Sequence, residues 1–91
     1  TLYGAEAKYL SAQLMYNAGE YAAAEKEILN FIDQSTPHAY WLARSFILLS
    51  DVYVAMDKKL DARQYLLSLQ QNYHADDDIE RMIQERLEKL K

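Results

Sequence analysis

Apolar residues recur every three or four positions along most of the chain, and nothing reads as a strand with its alternation of period two. The sequence therefore predicts an all-α protein of five helices. The central stretch, Pro37 to Met56, is apolar around most of its circumference, with Tyr40, Trp41, Leu42, Phe46, Ile47, Leu48, Leu49, Val52, Tyr53 and Val54 in a single run of helical period. Such a helix must be covered on more than one side. Arg44, Ser45, Ser50 and Asp51 interrupt the run, so it is too short to span a bilayer.

The other helices flank this one. Helix one, over residues 3–17, places Ala7, Leu10 and Leu14 on one side, flanked by Ser11, Ala12 and Met15, and Gly19 ends it. Helix two, over residues 21–34, has the stripe Tyr21, Ala24, Ile28 and Phe31. The short turn between them makes the pair an antiparallel hairpin. Pro37 can open helix three but cannot continue helix two, and Thr36 is placed to cap the new helix. Helix four, over residues 60–73, carries Ala62, Leu66, Leu69 and Tyr73. Asp77 with Glu80 fits a capping box for helix five, whose stripe is Ile79, Met82, Ile83, Leu87 and Leu90. Its remaining face, with Arg81, Glu85, Arg86, Glu88 and Lys89, reads as solvated surface.

The hairpins repeat one another at an offset of 38 residues. Aligning Ala24 with Ala62 sets Ala12 on Ser50, Met15 on Tyr53, Ile28 on Leu66 and Gly19 on Asp57. Small residues match small ones at the places where two helix backbones would approach. This pattern resembles the tetratricopeptide repeat, a helix-turn-helix unit of roughly 34 residues. The residues that carry the likeness are Ala12, Met15, Gly19, Tyr21, Ala24 and Ile28, then Phe46, Leu49, Ser50, Tyr53, Ala62 and Leu66. Pro37 stands one residue past the closing proline of the first unit, and His74 replaces that of the second. Lys8 stands where the family has a bulky aromatic, and Asp57 replaces the turn glycine of the second unit.

The resemblance implies one domain over residues 1–91, with units at about 5–37 and 38–75 and a capping helix at about 77–91. It implies a superhelical array of hairpins whose first helices line a concave face, a surface suited to a peptide or helix of a partner protein. On that face it places Tyr9, Gln13, Tyr16 and Asn17 from helix one, and Arg44, Ile47, Asp51 and Val54 from helix three. Tyr9 and Tyr16 are seven residues apart, as are Ile47 and Val54, so each pair shares a helix face, which either meets a partner or packs on the neighbouring helix. Arg44 is the sole cation among these positions, so they offer no cationic pair to a carboxylate ligand. A tyrosine-rich array with this long offset looks like those of large bacterial repeat proteins, some of them envelope-associated. The chain starts in mid-pattern at Thr1, which predicts the C-terminal portion of a longer repeat protein. The competing expectation is self-association without a peptide ligand, a homodimer through exposed repeat ends.

Composition narrows the chemistry. A net charge of −4 with no basic run argues against a nucleic-acid or anionic-membrane surface. No cysteine is present, so disulfides and thiolate zinc sites are excluded. His74 with Asp76, Asp77 and Asp78 lacks the alternating acids, glycine and terminal glutamate of a calcium loop, and no metal or other cofactor is expected. Two glycines cannot build a phosphate cradle, and no nucleophile motif occurs, so an enzyme is not expected.

Overall fold

A computed structural model describes residues 2–34 and 38–91, with backbone only at Leu2 and Tyr3. It contains α1 (Leu2–Asn17), α2 (Tyr21–Asp33), α3 (Ala39–Ala55), α4 (Lys59–Asn72) and α5 (Ile79–Lys89). Among the described residues there is no strand, and no helix is long and apolar enough to cross a membrane. The all-α reading holds. The expected capping and opening roles of Thr36 and Pro37 lie outside the described residues; α3 begins at Ala39 after His38.

Each hairpin turns by the same hydrogen bonds, 38 residues apart. Ala18 N–H donates to the Leu14 carbonyl at 3.0 Å, Gly19 to Tyr16 at 3.0 Å and Glu20 to Met15 at 2.9 Å. In the second hairpin Met56 donates to Val52 at 3.0 Å, Asp57 to Val54 at 3.1 Å and Lys58 to Tyr53 at 2.7 Å. The bond that spans five residues needs a left-handed residue inside the turn. Gly19 takes φ 79° and Asp57 takes φ 61°. The second hairpin thus closes without glycine, because the short polar side chain of aspartate tolerates this region.

The matched small residues do what their spacing predicts. Ala12, Ala24, Ser50 and Ala62 are all buried, and around them pack Ile28, Leu48, Leu49, Val52 and Tyr53. A second cluster unites Ala43 and Ile47 of α3 with Leu66 and Leu69 of α4 and Ile79 and Ile83 of α5. α3 touches all four other helices, which accounts for its apolar circumference. α1, α3 and α5 also touch in succession, whereas α2 and α4 make no contact among the described residues.

Two local expectations are corrected. The buried side of α1 is Ala5, Tyr9 and Ala12, not Ala7, Leu10 and Leu14, which are open to solvent. α5 starts one residue later than a capping box on Asp77 requires: Asp78 occupies the cap position, and Asp77 Oδ1 accepts the Ile79 N–H at 2.9 Å. Asp78 itself makes no cap bond, its carboxylate being taken by the Tyr40 hydroxyl at 2.9 Å. Lys8 is half-buried, and its ammonium donates to Gln34 Oε1 beyond the end of α2, tying the first hairpin together.

Candidate functional site

The residues predicted to form one concave face go to three different places. Ile47 lies in the core between α3, α4 and α5, because α5 packs directly over that side of α3. It cannot touch a partner. Tyr9 is likewise buried, its ring 5.5 Å from that of Trp41. These two are corrections to the expected binding face, and in both cases a neighbouring helix covers the stripe.

Tyr9, Gln13, Asn17 and Arg44 form a polar line. Arg44 Nη2 donates to the Tyr9 hydroxyl at 3.0 Å, that hydroxyl donates to Gln13 Oε1 at 3.1 Å, and Gln13 Nε2 donates to Asn17 Oδ1 at 3.0 Å. On its other side Arg44 Nη1 donates to the Tyr40 hydroxyl at 3.0 Å, and through it reaches Asp78. The guanidinium also lies 5.1 Å from the Tyr9 ring centroid, a favourable cation–π distance. Burial alone would lower its proton affinity, but the two phenols outweigh that and raise it, so Arg44 remains charged. Arg44 is therefore an internal tie between α1, α3 and the segment before α5. It does not pair with Asp51.

Tyr16, Asp51 and Val54 meet in a cleft of about 380 Å³ at one end of the helix layer. The last turns of α1, α3 and α5 and the start of α4 bring together Tyr16, Val54, Lys59, Arg86, Lys89 and Leu90 around a floor that includes Ser50 and Leu66. Asp51 is held bidentately by Arg86, with Nε–Oδ1 at 3.3 Å and Nη2–Oδ2 at 3.2 Å. Both side chains are about three-quarters screened from solvent, at 29% and 24% exposure, so this pair is better shielded than a surface pair. The Tyr16 phenol is pushed above its ordinary value by burial first, then by Asp51 and Tyr21, with Arg86 partly opposing. It stays a neutral hydrogen-bonding group at physiological pH.

The cationic character of this cleft was missed from the sequence. Arg86 and Lys89 read as solvated surface of helix five, and Lys59 falls between the expected helices three and four, yet the fold sets all three in one cleft with a single carboxylate in a chain that is acidic overall. Arg44 is still the sole cation among the eight positions expected on the binding face; the cations of the cleft come from outside them. One signal was available: Arg86 lies on the same helix face as the buried Ile79 and Ile83, seven and three residues before it, and a cation on a core-facing stripe needs a partner. Ser50 Oγ is committed to the Ile47 carbonyl at 2.6 Å, and neither histidine lines the cleft. The acids after helix four are engaged locally, Tyr73 donating to Asp77 Oδ2 and Tyr40 to Asp78, and no group of three metal-ligating residues exists among the described residues. Comparison with protein-family models, curated proteins and solved structures found no match.

Proposed function

We propose that this chain is a tetratricopeptide-type helical scaffold that binds a peptide or helix of a partner protein in the Tyr16–Val54–Arg86 cleft. The observation that carries the reading is that cleft itself, in which an apolar wall and an aromatic sit among Lys59, Arg86 and Lys89. The repeated hairpin turns, and the succession in which the capping helix α5 lies on α3 as α3 lies on α1, favour a repeat array over an unrelated bundle. Arg86 is already paired with Asp51, so Lys59 and Lys89 supply the free positive charge, and a partner segment with a carboxylate beside an apolar residue complements them.

Selection from a displayed library of random twelve-residue peptides tests this. The immobilised chain should enrich acidic sequences with an apolar anchor, and the double variant Lys59→Glu, Lys89→Glu should lose them while melting as the parent does. Peptides retained equally by the double variant would remove the cleft from consideration. Light scattering on the same samples separates this reading from self-association, since a dimer that leaves no peptide bound favours the latter.

A further inference from the structure

The internal repeat assigns a role to a surface that the cleft does not include. α1 has a second apolar face of Ala7, Leu10 and Leu14, on which Leu10 is 48% and Leu14 is 69% exposed. The 38-residue offset sets these positions on Ser45, Leu48 and Val52 of α3, which are 1%, 2% and 0% exposed. The second set is buried because α3 has a helix lying against it. α2 packs on α3, and Leu48 and Val52 share one cluster with Ala24 and Ile28 of α2, against which Leu29 and Ile32 also pack. The fold therefore contains both a filled and an unfilled version of the same site.

We propose that the Ala7–Leu10–Leu14 face of α1 docks an amphipathic helix with the surface chemistry of α2, an alanine followed at one-turn intervals by branched aliphatics, as in Ala24, Ile28 and Ile32. The occupant is not a helix of a second copy. The filled copy of the site is covered by α2, the second helix of a hairpin, and not by another first-helix face; in a second molecule both second helices are already held, α2 between α1 and α3 and α4 between α3 and α5, and the face its α1 leaves open is of the other kind. Ala7 lets an incoming backbone approach, and Leu10 and Leu14, one turn apart, supply the apolar area that its aliphatics would cover.

The test uses the whole chain and a synthetic peptide of residues 20–34, kept helical by a covalent link between positions 26 and 30, both exposed in the parent helix. Titrated into chain with labelled methyl groups, the peptide should shift Ala7, Leu10 and Leu14 first. Leu14→Asp should weaken it by about tenfold or more, the loss expected when one leucine is no longer buried. Leu14 is mostly exposed, so this variant should fold, and Leu10→Lys serves as an independent second variant. A peptide carrying Ile28→Asp and Ile32→Asp should not bind. The proposal is overturned by the absence of shifts at millimolar peptide or by shifts confined to Tyr16, Val54 and Leu90. It is equally overturned by a dimer in sedimentation that Leu14→Asp converts to monomer, which would make a second copy the occupant.

Discussion

Replacing Asp57 by glycine should stabilise the protein, and the first hairpin supplies the reference for how much. Asp57 sits at φ 61° in the same hydrogen-bonded turn that Gly19 makes at φ 79°. A left-handed conformation costs an L-residue about 1–2 kcal/mol. Asp57→Gly removes that cost but gives the unfolded chain more freedom, worth about 0.4–1 kcal/mol in the opposite direction. The carboxylate adds little to the balance, because it stands at the negative end of α3 and close to the positive end of α4. The net expectation is a gain of about 0.5–1 kcal/mol, or roughly 2–8 °C in melting temperature for a domain of this size. Gly19→Ala is the mirror experiment: a Cβ there meets nothing within 4 Å, so only backbone strain opposes it, and it should cost about the same amount. Thermal melts by circular dichroism, with urea titration at fixed temperature, measure both. Asp57→Asn separates charge from conformation and should leave stability nearly unchanged. A fall in melting temperature for Asp57→Gly, with Gly19→Ala behaving as expected, would refute the reasoning and assign Asp57 a side-chain interaction that outweighs its strain.

Other perturbations follow from the same contacts. Arg44→Met should cost about 1–2 kcal/mol in urea unfolding, because charge-assisted bonds to Tyr9 and Tyr40 are lost while both phenols keep their second partners; an unchanged midpoint would show the tie between α1 and α3 to be idle. A double-mutant cycle on Asp51→Asn and Arg86→Gln should return a coupling of about 0.5–1 kcal/mol that shrinks in 1 M salt, and a salt-independent value would contradict partial exposure. In alkali, Tyr73 is held up to about 12 by burial and its bond to Asp77, and Tyr16 and Tyr53 are also raised, in each case by burial first. These phenols are favoured neutral in the folded state, so stability should be flat below pH 10, where the unfolded phenols begin to ionise, and should fall as pH rises toward about 12. Tyrosinate absorbance near 295 nm against melting temperature checks the sign, and a melting temperature that rises above pH 10 would overturn it.

Much of the fold was legible because periodicity and punctuation carry local information. The stripes of helices two, four and five put Ala24, Ile28, Phe31, Ala62, Leu66, Leu69, Ile79 and Ile83 in the core, where they are found. Matching Gly19 to Asp57 located two turns whose hydrogen bonds coincide residue for residue. The fully apolar helix three was read as covered on several sides, and four helices cover it. The site was less legible. Resemblance placed eight residues on one surface, but which of them remain accessible depends on where the next helix lands. α5 covers Ile47, and Trp41 with Arg44 covers Tyr9, so only Tyr16, Asp51 and Val54 reach the cleft.

The misreading of α1 has a physical cause that bears on function. Ala5, Tyr9 and Ala12 form one stripe at helical spacing, and Ala7, Leu10 and Leu14 form another, so the pattern of apolar residues does not by itself choose between them. The choice falls to volume. The buried stripe ends in Ala12, whose small side chain lets α2 approach closely at Ala24, whereas Leu10 and Leu14 would hold the backbones apart. A helix with a single role in a small bundle keeps one apolar face and a polar back, as α5 does apart from Arg86. α1 keeps two, and the residues on the second match those that α3 has beneath α2. Leaving Leu10 and Leu14 in water gains the isolated domain nothing, since neither side chain adds burial to its core. Their spacing is accounted for by a helix lying across them, and the one helix already seated on the equivalent face shows what chemistry that helix needs.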